Sequence, residues 1–438
     1  MERQMKRLST LLIFMLALAH GVFANSNTEA TESNKAVEVN IFQFKVEIAD
    51  ELQKAARLYE SKNPGVKIVI ETVGGGDDYG AALRAKNASG NMPDIYNIGG
   101  PQDAKDWNSM LEDLSDQPWA NNVVGTENVT MDGQLLGLPF AVEGYGLAYN
   151  KRIFKAAGID ASKIVDFKSL EAAAVALDLK IKNGDLADEF PLLEAVFEYA
   201  AKETWVTGLH TSNIALAQEL GSGLTASEAK TIDFKYADGL KKIIDLQGKF
   251  SSSSENTGLL NAVDYSTQVD TGLGIERVAI IQQGNWIYGG VKAVDPAVAD
   301  SLGFLPMPMV GAKEDSIAVG VPMYWSVNSE TTDAEKSASK EFLNWLYTSE
   351  EGKDIVVNKF FFIPPMKSGY ENYPVADPLG RSITEFISAG KTIPWVFMGY
   401  PSGWGMDVLG VKIQAYYAGE LTWDEAVSQA KAEWANAR

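Results

Sequence analysis

From residue 37 onward the apolar residues change period repeatedly, and that alternation is the strongest constraint on what this chain can fold into. Residues 39–44, the β-branched run 66–73 and the short 94–98 read as strands. Between them, residues 48–61 place Ile48, Leu52, Ala55, Ala56 and Tyr59 on one helical face, with Asn63-Pro64-Gly65 as the stop, and residues 79–88 are helical again. A βαβαβ order needs crossover connections, so the expectation is an α/β fold, a parallel sheet with helices on both faces. Ligands of such sheets sit beyond the carboxyl ends of the strands, where loops can present polar groups without disturbing the core. The loops at those ends are 43–47, which begins Gln43-Phe44, then Gly74-Gly75-Gly76-Asp77-Asp78, then Gly99-Gly100-Pro101-Gln102. The glycine run is followed by no Gly-Lys-Ser/Thr, and two aspartates repel a phosphate, which argues against a nucleotide site. Asp77 and Asp78 suit hydroxyl groups instead.

Residues 131–154 carry the second constraint. An apolar approach through 138–142 is interrupted by Glu143, Gly144, Tyr145 and Gly146, then resumes as Leu147-Ala148-Tyr149. Two glycines allow close backbone approaches, and a carboxylate and a phenol stand at the same point. This reads as a strand passing through a ligand cleft. Beyond it, residues 151–157, 167–182, 192–202, 213–220 and 236–248 fit helical spacing and form a second lobe. Residues 277–281 are a buried-strand candidate leading to Gly284-Asn285-Trp286. Residues 303–309 contain two prolines in a short apolar run, which a central strand does not tolerate, so they read as a second crossing between lobes. Residues 323–327 and the helix 334–347 return to the first lobe, 361–365 cross a third time, and 408–417 and 423–434 go back to the second.

With 438 residues the chain exceeds a single core, and 46% hydrophobic with 22% charged residues marks it as globular. A formal net charge of −20 repels nucleic acid and anionic membrane surfaces. Residues 1–24 are arranged as a signal peptide: Arg3, Lys6 and Arg7, an apolar run too short to span a bilayer, then Val22-Phe23-Ala24 as a cleavage site. Residues 25–36 have the composition of a flexible leader. The chain has no cysteine, hence no lipidation anchor, disulfide or thiolate metal site. Its histidines are His20 and His210, too few for a His-rich zinc centre.

A pyranose offers a nearly apolar ring face and an edge of hydroxyls, and aromatic plates with a few carboxylates and amides answer both. Trp345, Trp423 and Trp434 lie at helical spacing and read as packing. Trp205, Trp286, Tyr324, Trp325 and Trp404 stand beside glycine, polar groups or crossings and are the better plates.

Asp132-Gly133-Gln134, Leu138-Pro139-Phe140, Glu143-Gly144-Tyr145-Gly146 and Tyr149-Asn150-Lys151 together resemble the central signature of sugar-type solute-binding proteins of bacterial ABC transporters, the maltose-binding-protein-like class. Ser89-Gly90-Asn91-Met92-Pro93-Asp94-Ile95, Gln283-Gly284-Asn285-Trp286, Gly303-Phe304-Leu305-Pro306-Met307-Pro308 and the stretch from Gly403-Trp404 to Trp423-Asp424-Glu425-Ala426 resemble that family in the expected order. The resemblance covers nearly all of the chain after the leader. It implies a two-lobed, type II (Venus-flytrap) periplasmic-binding-protein fold, each lobe a mostly parallel sheet flanked by helices. The lobes would be 37–141 with 309–362, and 146–303 with 367–438, joined by a three-crossing hinge near 142–145, 304–308 and 363–366.

The same resemblance implies a periplasmic monomer, without cofactor, metal or nucleic acid, that captures a di- or oligosaccharide by hinge closure and delivers it to an ABC permease. Glu143 matches the family's hinge-strand acid, and Trp286 and Trp404 resemble its sugar-stacking aromatics. With them the expected ligand set is Phe44, Asp77, Asp78, Gln102, Tyr145, Trp205, Asn285, Tyr324 and Trp325. Some family members carry an Asp-Arg pair after the third strand, where this chain has Pro101-Gln102. The alternative reading is a secreted carbohydrate enzyme using paired carboxylates such as Glu143 and Asp77 across the same cleft.

Overall fold

The structure is a computed structural model that describes residues 36–75 and 77–438. The expected signal peptide and nearly all of the leader lie outside the described residues. In chain order the strands are β1 (Val37–Gln43), β2 (Val66–Thr72), β3 (Ile95–Ile98), β4 (Leu138–Pro139), β5 (Glu143–Asn150), β6 (Ala195–Glu198), β7 (Val278–Gly284), β8 (Leu302–Leu305), β9 (Ile317–Gly320), β10 (Tyr324–Val327) and β11 (Thr392–Pro394). A small separate hairpin pairs Thr130–Met131 with Gln134–Leu135.

Two sheets result. The first has the order β2-β1-β3-β10-β4: β1 runs parallel to β2 and β3, as the βαβαβ opening requires, and β10 is antiparallel to both its neighbours. The second has the order β11-β9-β5-β7-β6 with β8 also paired to β5. Here β6 and β7 are parallel, as are β9 and β11, whereas β5 is antiparallel to β7, β8 and β9. Both sheets are therefore mixed, each gaining antiparallel pairs where the chain returns from the other lobe.

Buried apolar side chains form two separate clusters, one per sheet. The first takes in Val39 to Ala141, then Val321 to Phe362; the second takes in Tyr145 to Ala318, then Leu379 to Trp434. The helix Ala49–Lys62 buries Leu52, Ala55, Ala56 and Tyr59 on the first sheet, the face expected from its spacing. The helix Asp333–Thr348 starts at a Thr332/Glu335 capping box and adds Phe342, Leu343 and Leu346 to the same core.

Three expectations are corrected. Residues 304–308 are not a passage between lobes: Phe304, Leu305 and Met307 are buried in the second core, and β8 is an ordinary partner of β5. The prolines at 306 and 308 follow the end of that strand, so they interrupt no ladder. The return to the first core falls instead at 319–321, between Ala318 in one cluster and Val321 in the other. The third passage is longer than 363–366. Phe361 and Ile363 already pack against the second core, but Met366, Tyr370 and Tyr373 pack on the first, Tyr370 donating to the Tyr347 carbonyl at 2.8 Å, and the chain enters the buried second core at Leu379. Finally, residues 192–202 contain strand β6 rather than a helix. All four β6 residues are buried, and pairing with β7 overrides an alanine-rich spacing that suits a helix in isolation.

β5 explains the glycines that interrupt its pattern. One of its edges serves two partners in succession, β9 at residues 143–145 and β8 at 147–150. Gly146 stands at the changeover, where a Cβ would lie 2.8 Å from both the Leu305 carbonyl oxygen and Ile317 Cγ2. Gly146→Val should therefore lower stability by about 1–3 kcal/mol through overpacking; urea unfolding of the variant measures it, and an unchanged midpoint would contradict the account.

Candidate functional site

A cavity of about 350 Å³ lies between the two cores. The first lobe lines it with the three loops that follow β1, β2 and β3, through Phe44, Lys45, Asp77 and Asp103 among others; the second lobe contributes Trp205, His210, Tyr265, Trp286, Trp395 and Phe397. The cleft thus opens at the carboxyl ends of the parallel strands, where the topology leaves backbone free to carry a site.

The loop after β1 is held from within. Gln43, fully buried, accepts from the Lys45 N–H at 2.6 Å, and its amide donates to the Lys45 carbonyl at 3.0 Å and to Thr72 Oγ1 at 2.7 Å. Gly74 lets the next loop close on it, since a Cβ there would stand 2.0 Å from the Phe44 carbonyl oxygen. This clamp delivers the Lys45 ammonium into the cleft floor, 2.7 Å from Glu143 Oε1 at the start of β5. The contact is a close ion pair. Both side chains are buried, at 4% and 3% exposure. Burial pulls the lysine pKa down, but the attraction of Glu143 and Glu47 outweighs it, and the net shift is upward. The ammonium also lies 5.5 Å from the Trp286 ring centroid and 5.7 Å from that of Phe44.

In the second lobe His210 stands at the centre of the aromatic residues. It stacks on Tyr145 at 4.3 Å and lies 5.1 to 5.9 Å from Trp205, Trp286, Phe397 and Trp395. Burial, with the Lys45 charge nearby, pushes its pKa down to about 3, so the imidazole is neutral at physiological pH. Two indoles are locked by their own N–H groups: Trp205 donates to Glu203 at 3.0 Å and Trp286 to Gln283 Oε1 at 2.9 Å. Gln283 in turn donates to Gln268, and Gln268 to the Glu198 carbonyl, both at 2.8 Å. With those hydrogen bonds already made, what Trp205 and Trp286 can offer a ligand is ring surface.

Seven of the twelve residues expected at the site line this cleft: Phe44, Asp77, Asp78, Gln102, Glu143, Trp205 and Trp286. Five lie elsewhere. Tyr145 is one layer behind, its hydroxyl donating to the His210 carbonyl at 2.9 Å. Asn285 is buried against β5, accepting from the Gly144 N–H at 3.1 Å. Tyr324 and Trp325 belong to the first core because β10 is an interior strand; Tyr324 donates to the Gly125 carbonyl and Trp325 to the Tyr347 hydroxyl. Trp404 is turned into the second core, donating to the Ala430 carbonyl at 2.8 Å and packing edge-on against Trp434, while its neighbours Gly403 and Gly405 line the cleft. Gly405 is pressed against the turn that carries Trp205: a Cβ on Gly208 would lie 1.7 Å from the Gly405 carbonyl oxygen.

Sequence reasoning missed Lys45, His210, Tyr265, Trp395 and Phe397. Lys45 stood inside a loop already marked by its place after a strand. Trp395 and Phe397 follow β11 in a stretch with no local pattern, and only the pairing of β11 with β9 brings them to the cleft. At the rim the lobes touch directly: Ser402 donates to Asp106 at 2.6 Å, Arg438 to Gln102 at 2.6 Å, and Lys105 to Ser227 Oγ at 3.0 Å.

Similar architectures occur among solved structures. A chitin oligosaccharide binding protein is 21% identical and superposes with a TM-score of 0.75 over 92% of this chain and 99% of its own. The solute-binding protein RafE in complex with raffinose (18% identity, TM-score 0.69, 92% and 100% covered) and a sugar transporter from Bacillus licheniformis in complex with stachyose (20%, 0.70, 92% and 100%) are alike in the same way. At these identities the likeness establishes the two-lobed fold. Among curated proteins no significant sequence match is found. The sequence itself matches the bacterial extracellular solute-binding protein family over residues 54–379, and the chain belongs to that family.

Proposed function

We propose that this protein is the exported, periplasmic, monomeric substrate-binding component of an ABC sugar importer. It captures a short carbohydrate between its lobes and presents it to a membrane permease. The observation that carries this reading is the composition of the cleft. Trp205 and Trp286 are held with their N–H groups already bonded, beside Glu143, Asp77 and Asp78. That combination answers the two surfaces of a pyranose. The cavity is at the small end of ligand pockets, which favours a sugar of few rings over a long polymer. The similar structures described as binding chitin oligosaccharide, raffinose and stachyose support the same class of ligand.

Capture works through the three connections between lobes. A sugar touching both walls makes more contacts when the lobes approach, so it shifts the population toward the closed arrangement, which a permease can recognise. Hydrolysis by Glu143 and Asp77 is less well supported: the Glu143 carboxylate is ion-paired with Lys45 at 2.7 Å, although burial raises its pKa.

Three measurements test this. A sugar supplied at about 100 times its Kd should stabilise the fold by about 2.7 kcal/mol; a thermal-shift panel of di- and oligosaccharides that moves nothing would count against the proposal. Trp286→Ala should weaken binding of the responding sugar at least about tenfold, as loss of a central aromatic anchor does. Incubation with the same sugars should yield no shorter products by chromatography, and products that vanish in Glu143→Gln would replace this reading with the enzymatic one.

A further inference from the structure

We propose that the cleft selects uncharged or amine-bearing sugars and rejects anionic ones. The inference rests on the sugar-binding reading above and concerns what that site discriminates. Its basis is an excess of carboxylates over cations in the cleft. Several of the donors are engaged by the protein, although the buried Trp395 N–H has no partner. The indole N–H groups of Trp205 and Trp286 go to Glu203 and Gln283, the Tyr265 hydroxyl goes to Glu47 at 3.3 Å, and the Lys45 ammonium faces Glu143. The other cation lining the cleft, Arg84, stands 3.9 Å from Asp78.

Acceptors remain. Among the described residues, Asp77, Asp103 and Asp407 line the cleft and form no salt bridge; Asp103 accepts from the Gly99 N–H through Oδ2 at 2.6 Å. A ligand entering here meets ring faces, the Trp395 N–H and several carboxylate oxygens, so one that brings donors and no negative charge is favoured. Hydroxyls do so, and an ammonium does so with a favourable charge, whereas a carboxylate, sulfate or phosphate brings acceptors and like charge.

Lys45 does not reverse this charge balance, because its ammonium is already held by carboxylates of the floor. Lys45 Nζ sits between the Glu143 and Glu47 carboxylates, at 2.7 and 3.8 Å, with the Trp286 and Phe44 rings within 6 Å of it. The neutral His210 adds no positive charge to offset the acidic lining.

The test is calorimetric titration with β1,4- and α1,4-linked disaccharides of glucose, of glucosamine, and of glucose joined to glucuronate, at low and at high salt. At low salt the glucosamine form should bind at least about tenfold tighter than the glucose form of the same linkage, and the glucuronate form at least about tenfold weaker. Both ratios should shrink as salt rises. In the Asp77→Asn, Asp407→Asn double variant the glucosamine-to-glucose ratio should move toward one. If the three forms bind alike, or the glucuronate form binds best, the inference is overturned while sugar binding stands. If a protein shown to be folded by circular dichroism binds none of them, the sugar-binding reading falls and the inference with it.

Discussion

The strand β5 is where the first passage between the two halves of this molecule and the return passage meet. Its eight residues are all buried, it is antiparallel to three partners, and its first residue, Glu143, is also part of the cleft floor. Because β9 and β8 share one of its edges in turn, the segment by which the chain goes back to the first lobe is hydrogen-bonded to the segment by which it left. The outgoing and returning segments therefore lie side by side at residues 143–145 and 318–320. The glycines there, Gly144, Gly146 and Gly320, are where neighbouring groups come too close for a Cβ. At Gly320 the ring of Trp395 occupies that space. Cleft and crossing strands are in this way built from the same residues.

The Lys45–Glu143 pair ties the first lobe's loop to that strand. Taking both charges out of water is costly, and the pair is maintained because the loop is clamped by Gln43 and because Glu47 and two aromatic rings lie close to the ammonium. Such a pair adds little net stability, but it fixes geometry: removing either partner would leave a buried charge alone. Its consequence for recognition is that the strongest donor in the cleft is already engaged.

Much of the fold was legible locally. The helices 79–88 and 151–157, the capped helix after Thr332, the helix that stops at Asn63 and the strand after Gly65 lie where their periods and stop signals put them, because each is decided by which face of a short segment is apolar. Two of the errors share a cause. Residues 192–202 and 304–308 have local patterns that suit a helix and a connector, and in both places pairing with a strand distant in sequence decides the outcome. At the site, the loops after β1, β2 and β3 were recognisable because strand order alone directs them to one end of a sheet.

The aromatic residues divide along the same line. A tryptophan beside glycine is equally suited to a cleft wall and to a core, and nothing local tells Trp286, whose N–H bonds Gln283 at the cleft, from Trp404, whose N–H bonds Ala430 in the core. What the amino-acid order determined by itself is the α/β class, the two-lobed plan through its family resemblance, the acidic character and the three loops that carry ligand-facing groups. These follow from composition and from periods of a few residues. Which rings face the cleft, that Lys45 neutralises Glu143, and where the chain passes between lobes were decided only by tertiary structure, because each depends on pairing between residues far apart in the chain.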